Sequence, residues 1–329
     1  MHIRFHDLTR NARRLAGVFF ALGCAWLLSG CAILLPQTTA LRDARPANLP
    51  EAVELEQVPF FAQTDYECGP AALATTLSYG GAKVTLQEMI GQVYLPGRKG
   101  SLQIEMLAAA RRHGMASYRL APKMEDMLRE VAAGNPVIVL LDYGVWPFSI
   151  WHYAVVIGYN LKDGRIYMRS GEKRRLVMPI PILEYLWKES NYWGMVTVPP
   201  DRIPVTATET ELLDSILALE RVADSATART AYASYRKRWP DNVTASIGLA
   251  NVQYATGDLA EAEAVLRDAA ERHPDAVVVL NNLAQTLSDR GRNDEALTVI
   301  ERAAALGGPF ADSVKETREL ILKRIQPKP

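Results

Sequence analysis

Gln63-Thr64-Asp65-Tyr66-Glu67-Cys68-Gly69-Pro70-Ala71-Ala72-Leu73 joins an apolar run, Val58-Pro59-Phe60-Phe61, to a helical pattern extending from about Gly69 to Tyr79. The run reads as a strand, and one cysteine stands where it gives way to the helix. Backbone N–H groups at a helix start lack intrahelical acceptors and carry partial positive charge, which favours a thiolate placed there. A lowered thiol pKa turns an inert cysteine into a nucleophile. Gln63, five residues upstream, offers an amide N–H of the kind that holds the oxyanion of a tetrahedral intermediate. The alternative is a buried structural cysteine beside a Gly-Pro turn, and the rest of the chain weighs against it.

Five histidines are available. His2 and His6 lie in the N-terminal segment, and His273 precedes a proline. His113 precedes Gly114 at a predicted helix end, where a cation suits the helix dipole. His152 alone heads an apolar strand, Tyr153-Ala154-Val155-Val156-Ile157-Gly158-Tyr159. A sheet fixes such a residue while its strand end stays open, as a general base requires. One thiol and one well-placed imidazole form a Cys/His nucleophile pair.

Around this pair the pattern is mixed. Helical periodicity appears in 69–79, 85–92, 102–112 and 124–133. A loop at Gly97-Arg98-Lys99-Gly100 precedes a helix expected to be capped by Ser101. Short β-branched runs follow at 136–141, 153–159, 166–168 and 194–198. Helices first and strands later indicate an α+β domain. The 329 residues leave room for a second one. Equal counts of acidic and basic residues (37 each) give no reason to expect nucleic acid as a partner. A chain 22% charged and 49% apolar is globular rather than disordered.

The first residues read as a targeting segment. Arg4, Arg10, Arg13 and Arg14 precede the short apolar run Leu15–Leu28, which ends in Leu28-Ser29-Gly30-Cys31. This resembles the bacterial lipobox, and the resemblance implies cleavage before Cys31 and its lipidation. Ala32, rather than an aspartate, implies the outer membrane, with the protein facing the periplasm. Cys24 would leave with the signal, so Cys68 would be the one thiol of the mature chain in a compartment where disulfides are usual. The Pro-containing, non-periodic stretch from Ile33 to about Glu54 reads as a flexible tether.

Beyond a Pro-rich hinge the chain is helical and repetitive. Leu249 and Leu283, Gly257 and Gly291, Ala262 and Ala296, and Ala269 and Ala303 are each 34 residues apart. The period and placement resemble the tetratricopeptide repeat. A degenerate earlier unit begins near Glu211, and a last helix over about 312–325 would cap the stack.

The residues 58–63, 67–73, 100–102, 112–114, 136–141 and 151–159 together resemble the bacteriocin-processing, double-glycine type of papain-like cysteine peptidase. The resemblance implies that Gln63 serves the oxyanion hole, Cys68 is the nucleophile and His152 the base. It departs at one point. Where the family carries the Asp that orients the imidazole, this chain reads Arg169-Ser170-Gly171-Glu172. Ser170 and Glu172, returning along the next strand, are both candidates to come opposite His152, and Ser170 takes the matching position. Asp163, in an expected hairpin turn at Asn160–Gly164, would stand roughly 20 Å from His152.

The expected architecture is an α+β papain-like cysteine peptidase domain followed by an all-α tetratricopeptide-like helical repeat domain. The signal spans 1–31, the tether 32–55, the peptidase domain 56–200, a linker 201–210 and the repeats 211–329. Expected partners are a peptide or protein substrate, a protein bound through the repeats, and the membrane through the lipid on Cys31. No metal or cofactor is expected. Two other outcomes use the same residues: acyl transfer to an amine (a crosslinking or amidase activity), or a catalytically impaired adaptor at the outer membrane.

Overall fold

The computed structural model describes residues 35–63, 66–145 and 147–326. Cys31 and the segment before it lie outside the described residues, as do Thr64, Asp65 and Trp146. The first part of the chain forms α1 (Pro36–Asp43), β1 (Ala52–Glu54), α2 (Cys68–Tyr79), α3 (Leu86–Val93), α4 (Gln103–Arg112), β2 (Ala116–Arg119) and α5 (Met124–Ala132). There follow β3 (Val137–Asp142), β4 (Trp151–Asn160), β5 (Arg165–Ser170), β6 (Lys173–Pro179), α6 (Ile180–Trp187) and β7 (Gly194–Val198). The remainder is helical: α7 (Glu209–Glu220), α8 (Ser225–Arg238), α9 (Val243–Ala255), α10 (Leu259–Arg272), α11 (Val277–Asp289), α12 (Asn293–Leu306) and α13 (Ala311–Ile325).

These elements gather into two compact units that interleave along the chain. One combines the chain up to Glu56 with Ala121–Gly194, the other Gln57–Leu120 with the chain from Met195 onward. In the first unit, the long strand β4 pairs antiparallel with β3 along its first six residues, with β1 through Gly158–Asn160, and with β5 on its other edge. β6 continues the sheet from β5. β3 is buried along its whole length, as a run without polar alternation requires. At Gly158 the register with β5 shifts, and an added Cβ there would lie 2.5 Å from the Val53 carbonyl oxygen, so glycine admits β1 against β4.

Part of the expected tether is ordered structure in this unit. The Gln37 and Thr38 N–H groups, at the open start of α1, donate to the two oxygens of Glu184 at 2.9 and 2.6 Å. Glu184 is itself buried on α6. Four of the expected strands recur as β3, β4, β5 and β7, whereas β1, β2, β6 and α6 were not foreseen. The strand expected at 58–61 is not formed. Val58 is fully buried there, so the apolar pattern reports burial of a non-strand segment.

In the second unit, β2 and β7 form an antiparallel pair, and the helix α7 packs beside them. Tyr118 on β2 donates its hydroxyl to Glu211 at 2.9 Å, and the Ser215 hydroxyl donates to the Ser117 carbonyl at 2.7 Å in a buried contact. The helices α7, α9, α11 and α13 begin at 209, 243, 277 and 311, and α8, α10 and α12 at 225, 259 and 293. Each step within both series is 34 residues. At the corners inside the second and third pairs, Gly257 and Gly291 take φ of +84° and +80°, a conformation open to glycine at little cost. Leu266, Leu280, Leu283, Leu287 and Ile300 fill the stack between successive pairs. Arg229 on α8 pairs with Asp258 at 2.9 Å, and one repeat later Glu263 pairs with Arg292 at 2.6 Å.

Candidate active site

Cys68 is the first residue of α2 and is buried, 7% exposed. Its neighbours explain why the helix starts there. Pro70, in the first turn, lacks an N–H that would have no intrahelical acceptor in any case. An added Cβ on Gly69 would stand 2.4 Å from Ser101 Oγ, so the helix meets the approach to α4 through a glycine. Ser101 therefore packs against α2, and the residue at the cap position of α4 is Leu102, with no side-chain cap bond. This corrects the expected serine cap. The chain enters α2 through Tyr66 at φ +70°, a region that costs a non-glycine residue about 1–3 kcal/mol. The Lys99 ammonium lies 5.4 Å from the centre of the exposed Tyr66 ring. Gln63, on the same approach, is half-buried.

His113 closes α4, its N–H bonded to the carbonyls of Ala109 and Ala110. Its ring Nε2 is 3.1 Å from the Gln92 side-chain nitrogen. A structural role accounts for it.

The other expected residues belong to the first unit. His152, second residue of β4, stands opposite Leu141 of β3. Its Nε2 is 2.9 Å from Ser170 Oγ at the end of β5. The structure thus brings Ser170 and the imidazole together. Asp163 lies in the β4–β5 turn, bonded to the Asn160 side chain at 2.8 Å, at the far end of β4. Glu172 is exposed in the next turn. Burial holds the His152 pKa below its ordinary value, favouring the neutral ring.

Tyr143 completes this group and was not anticipated. Its ring meets the His152 ring edge to face, with centres 5.5 Å apart. Burial raises its pKa, and a hydrogen bond with the Ser170 side chain acts in the opposite sense. Ser170 has one proton and two hydrogen-bonding neighbours, so the donor directions are tied together. With the ring hydrogen on His152 Nε2, Ser170 Oγ accepts it and passes its own proton toward Tyr143 Oη. Nδ1 is then left with the lone pair.

Asp142, beside Tyr143, organises the β3–β4 loop. Its Oδ1 accepts the N–H groups of Gly144 at 2.8 Å and Ile150 at 2.7 Å. Burial alone would raise its pKa, but these bonds and one to the Ser149 side chain hold it low. An added Cβ at Gly144 would fall 2.0 Å from the Phe148 carbonyl oxygen, so the loop closes only over a glycine. The one sequence signal for this turn was an aspartate followed two residues later by glycine at a strand end. Nothing in the spacing pointed to Tyr143.

Residues 55–172 match the Peptidase C39-like family, and residues 213–277 and 257–308 match tetratricopeptide repeat models. No curated protein matches the chain. Among solved structures it is similar to a C39-like peptidase from Bacillus anthracis, at 20% identity over 45% of this chain and 98% of that one, with a TM-score of 0.39. It is also similar to a double-glycine-motif protease from an AMS/PCAT transporter in complex with its leader peptide (24% identity, 43% and 91% covered, TM-score 0.35). A third likeness is to the TPR2B domain of yeast Sti1 in complex with pHsp70 (18% identity, 35% and 97% covered, TM-score 0.33). The chain carries an α+β C39-like peptidase domain followed by an all-helical tetratricopeptide repeat region.

Proposed function

We propose that this chain, with its C39-like peptidase domain and its repeats, is a lipid-anchored cysteine peptidase of the bacterial outer membrane, facing the periplasm. Cys68 Sγ attacks a peptide carbonyl carbon while His152 Nδ1 takes the thiol proton. The Gln63 amide and the Cys68 backbone N–H hold the oxyanion. The imidazolium returns the proton to the leaving amine, giving a thioester, and water activated by His152 releases the acid. The lipid on Cys31 anchors the chain, and the repeats recruit substrate or a protein partner.

The observation that carries this reading is the His152 Nε2 to Ser170 Oγ contact of 2.9 Å. In the mechanism Ser170 Oγ accepts the Nε2–H, which leaves the Nδ1 lone pair to serve as base. Ser170 carries no charge, so it stabilises the imidazolium less than a carboxylate would. Burial of the ring acts in the same direction. The ring is therefore biased toward its neutral, proton-accepting form, and the proton moves as the attack proceeds.

The test follows alkylation of Cys68 by iodoacetamide against pH, in a chain beginning at Ala32 where it is the only thiol, with His152→Ala alongside. Reaction faster than that of an ordinary thiol below about pH 8.5, falling to the ordinary titration in His152→Ala, is expected. An ordinary titration unaffected by His152→Ala would instead favour the adaptor.

A further inference from the structure

The end of the first unit's sheet that carries His152 displays an unusual surface. Between residues 145 and 151, Val145 is 80% exposed, Phe148 77%, Ile150 62% and Trp151 48%. Single exposed apolar residues are ordinary, but a cluster of this kind marks an interaction surface. The loop is also built to present them. Asp142 gathers the Gly144 and Ile150 N–H groups inward, the Phe148 N–H donates to the Val145 carbonyl at 2.8 Å, and the Tyr143 N–H donates to the Ile150 carbonyl at 2.9 Å. These four backbone N–H groups are paired within the loop, while the apolar side chains remain exposed.

The β5–β6 turn lies at the same end of the sheet, because β4 begins where β5 ends and Ser170 stands opposite Lys173. Lys173 and Arg174 are exposed there, and neither forms an ion pair among the described residues. Arg175, by contrast, is held by Glu54 at 2.7 Å.

We infer that this sheet end is a peripheral membrane contact, in which Val145, Phe148, Ile150 and Trp151 enter the interfacial region and Lys173 and Arg174 meet anionic lipid headgroups. Three observations favour a bilayer over a peptide as the occupant. The apolar side chains are about half to four-fifths exposed, whereas side chains lining a concave ligand site are largely enclosed. Aromatic and aliphatic groups flanked by Lys and Arg are the pattern of interfacial contact with anionic lipid. The third observation rests on the lipid-anchored reading above. With α1 pinned to Glu184, only Ala32–Leu35 separate Cys31 from the folded body, a leash of about 14 Å at 3.3–3.6 Å per residue. Among the described residues no helix is long and apolar enough to cross a membrane. His152, next to Trp151, then works at the bilayer surface, and the substrates are chains presented there.

The test is sedimentation of the chain beginning at Ala32, which keeps every described residue, with vesicles of phosphatidylethanolamine and phosphatidylglycerol or of phosphatidylcholine alone. Partition into the anionic vesicles is expected to fall about tenfold or more in F148S/I150S. It should fall about fivefold for each cation removed in K173Q/R174Q, with partition into phosphatidylcholine unchanged. Cys68→Ala should sediment like the parent, so this result is independent of whether the chain is a peptidase. No partition, or partition indifferent to both double variants, would overturn the inference. So would F148S/I150S that leaves partition intact but slows labelling of Cys68 by an apolar peptidyl chloromethyl ketone, because the loop would then serve a peptide. The iodoacetamide rate and thermal melting of each variant report that the fold is intact.

Discussion

Ser170→Ala removes the one hydrogen-bond partner that His152 Nε2 has among the described residues, at 2.9 Å, and in the proposed mechanism that partner is the acceptor of Nε2–H. An unpaired buried donor costs about 1–3 kcal/mol, and both residues here are only partly buried, so the lower half of that range applies. About 1–2 kcal/mol corresponds to a 5- to 30-fold loss of the ring population with hydrogen on Nε2 and the base at Nδ1. Two measurements read it. Nitrogen NMR of the imidazole should report the Nε2–H tautomer in the parent and a mixture in the variant, and Cys68 alkylation near neutral pH should slow by a comparable factor. Ser170→Asp should do the reverse. A carboxylate beside the ring opposes the effect of burial, raises the His152 pKa and strengthens the hydrogen bond. If Ser170→Ala left the tautomer and the alkylation rate within about twofold of the parent, the argued cost of an unpaired Nε2–H would be refuted, and with it any positioning role for Ser170.

Because His152 is held below its ordinary pKa of 6.5, the unfolded chain takes up its proton at higher pH than the folded one. The contribution is therefore fully present above about pH 6.5 and is lost as pH falls through the lower folded value. Urea midpoints measured across that window should fall less steeply in His152→Gln. Ser215→Ala leaves the buried Ser117 carbonyl without its donor and should destabilise the second unit by about 1–2 kcal/mol in urea unfolding, with Tyr118→Phe adding a further loss. Glu263 is 5% exposed and faces Arg267, Arg290 and Arg292. Glu263→Gln should cost about 1–3 kcal/mol, below the figure for a fully buried pair because the arginines reach solvent, and the loss should shrink in high salt if only charge is at stake. Gly69→Ala forces a methyl group to within 2.4 Å of Ser101 Oγ and should cost about 1–3 kcal/mol. Ser101→Gly in the same chain should recover most of that loss, and failure to do so would locate the strain elsewhere.

Local chemistry made much of this legible in the sequence. The α2 helix begins at Cys68, one residue before the expected start, because Gly-Pro-Ala-Ala-Leu is a local instruction. Helix starts recurring every 34 residues follow directly from the repeated corner with its glycine. The features that escaped are those held by distant partners. The α1 helix has no buried residue of its own and is secured by Glu184, 146 residues after Thr38, so no periodic pattern marked it. Ser101 looked like a cap because its type suits one, yet packing against Gly69 decided its place. Tyr143 touches His152 because β3 and β4 are neighbours, and that adjacency depends on the sheet rather than on spacing along the chain. A strand returning beside β4 made Ser170 and Glu172 both candidates for the His152 end, and only the family resemblance singled out Ser170.

The repeat stack contains a spelling rule. Arg229 meets Asp258 across the first junction, and at the equivalent positions of the second junction Glu263 meets Arg292. The geometry repeats while the signs are exchanged. If the first helical pair docked on the third, skipping the second, Arg229 would confront Arg292. A second pair docked on another second pair, in this chain or a neighbouring copy, would set Glu263 against Asp258. Both errors put like charges where the correct order puts opposite ones, at positions where Glu263 is almost wholly out of water. Near-identical corners could otherwise be shuffled during folding, and the alternation of signs gives each junction one permitted reading.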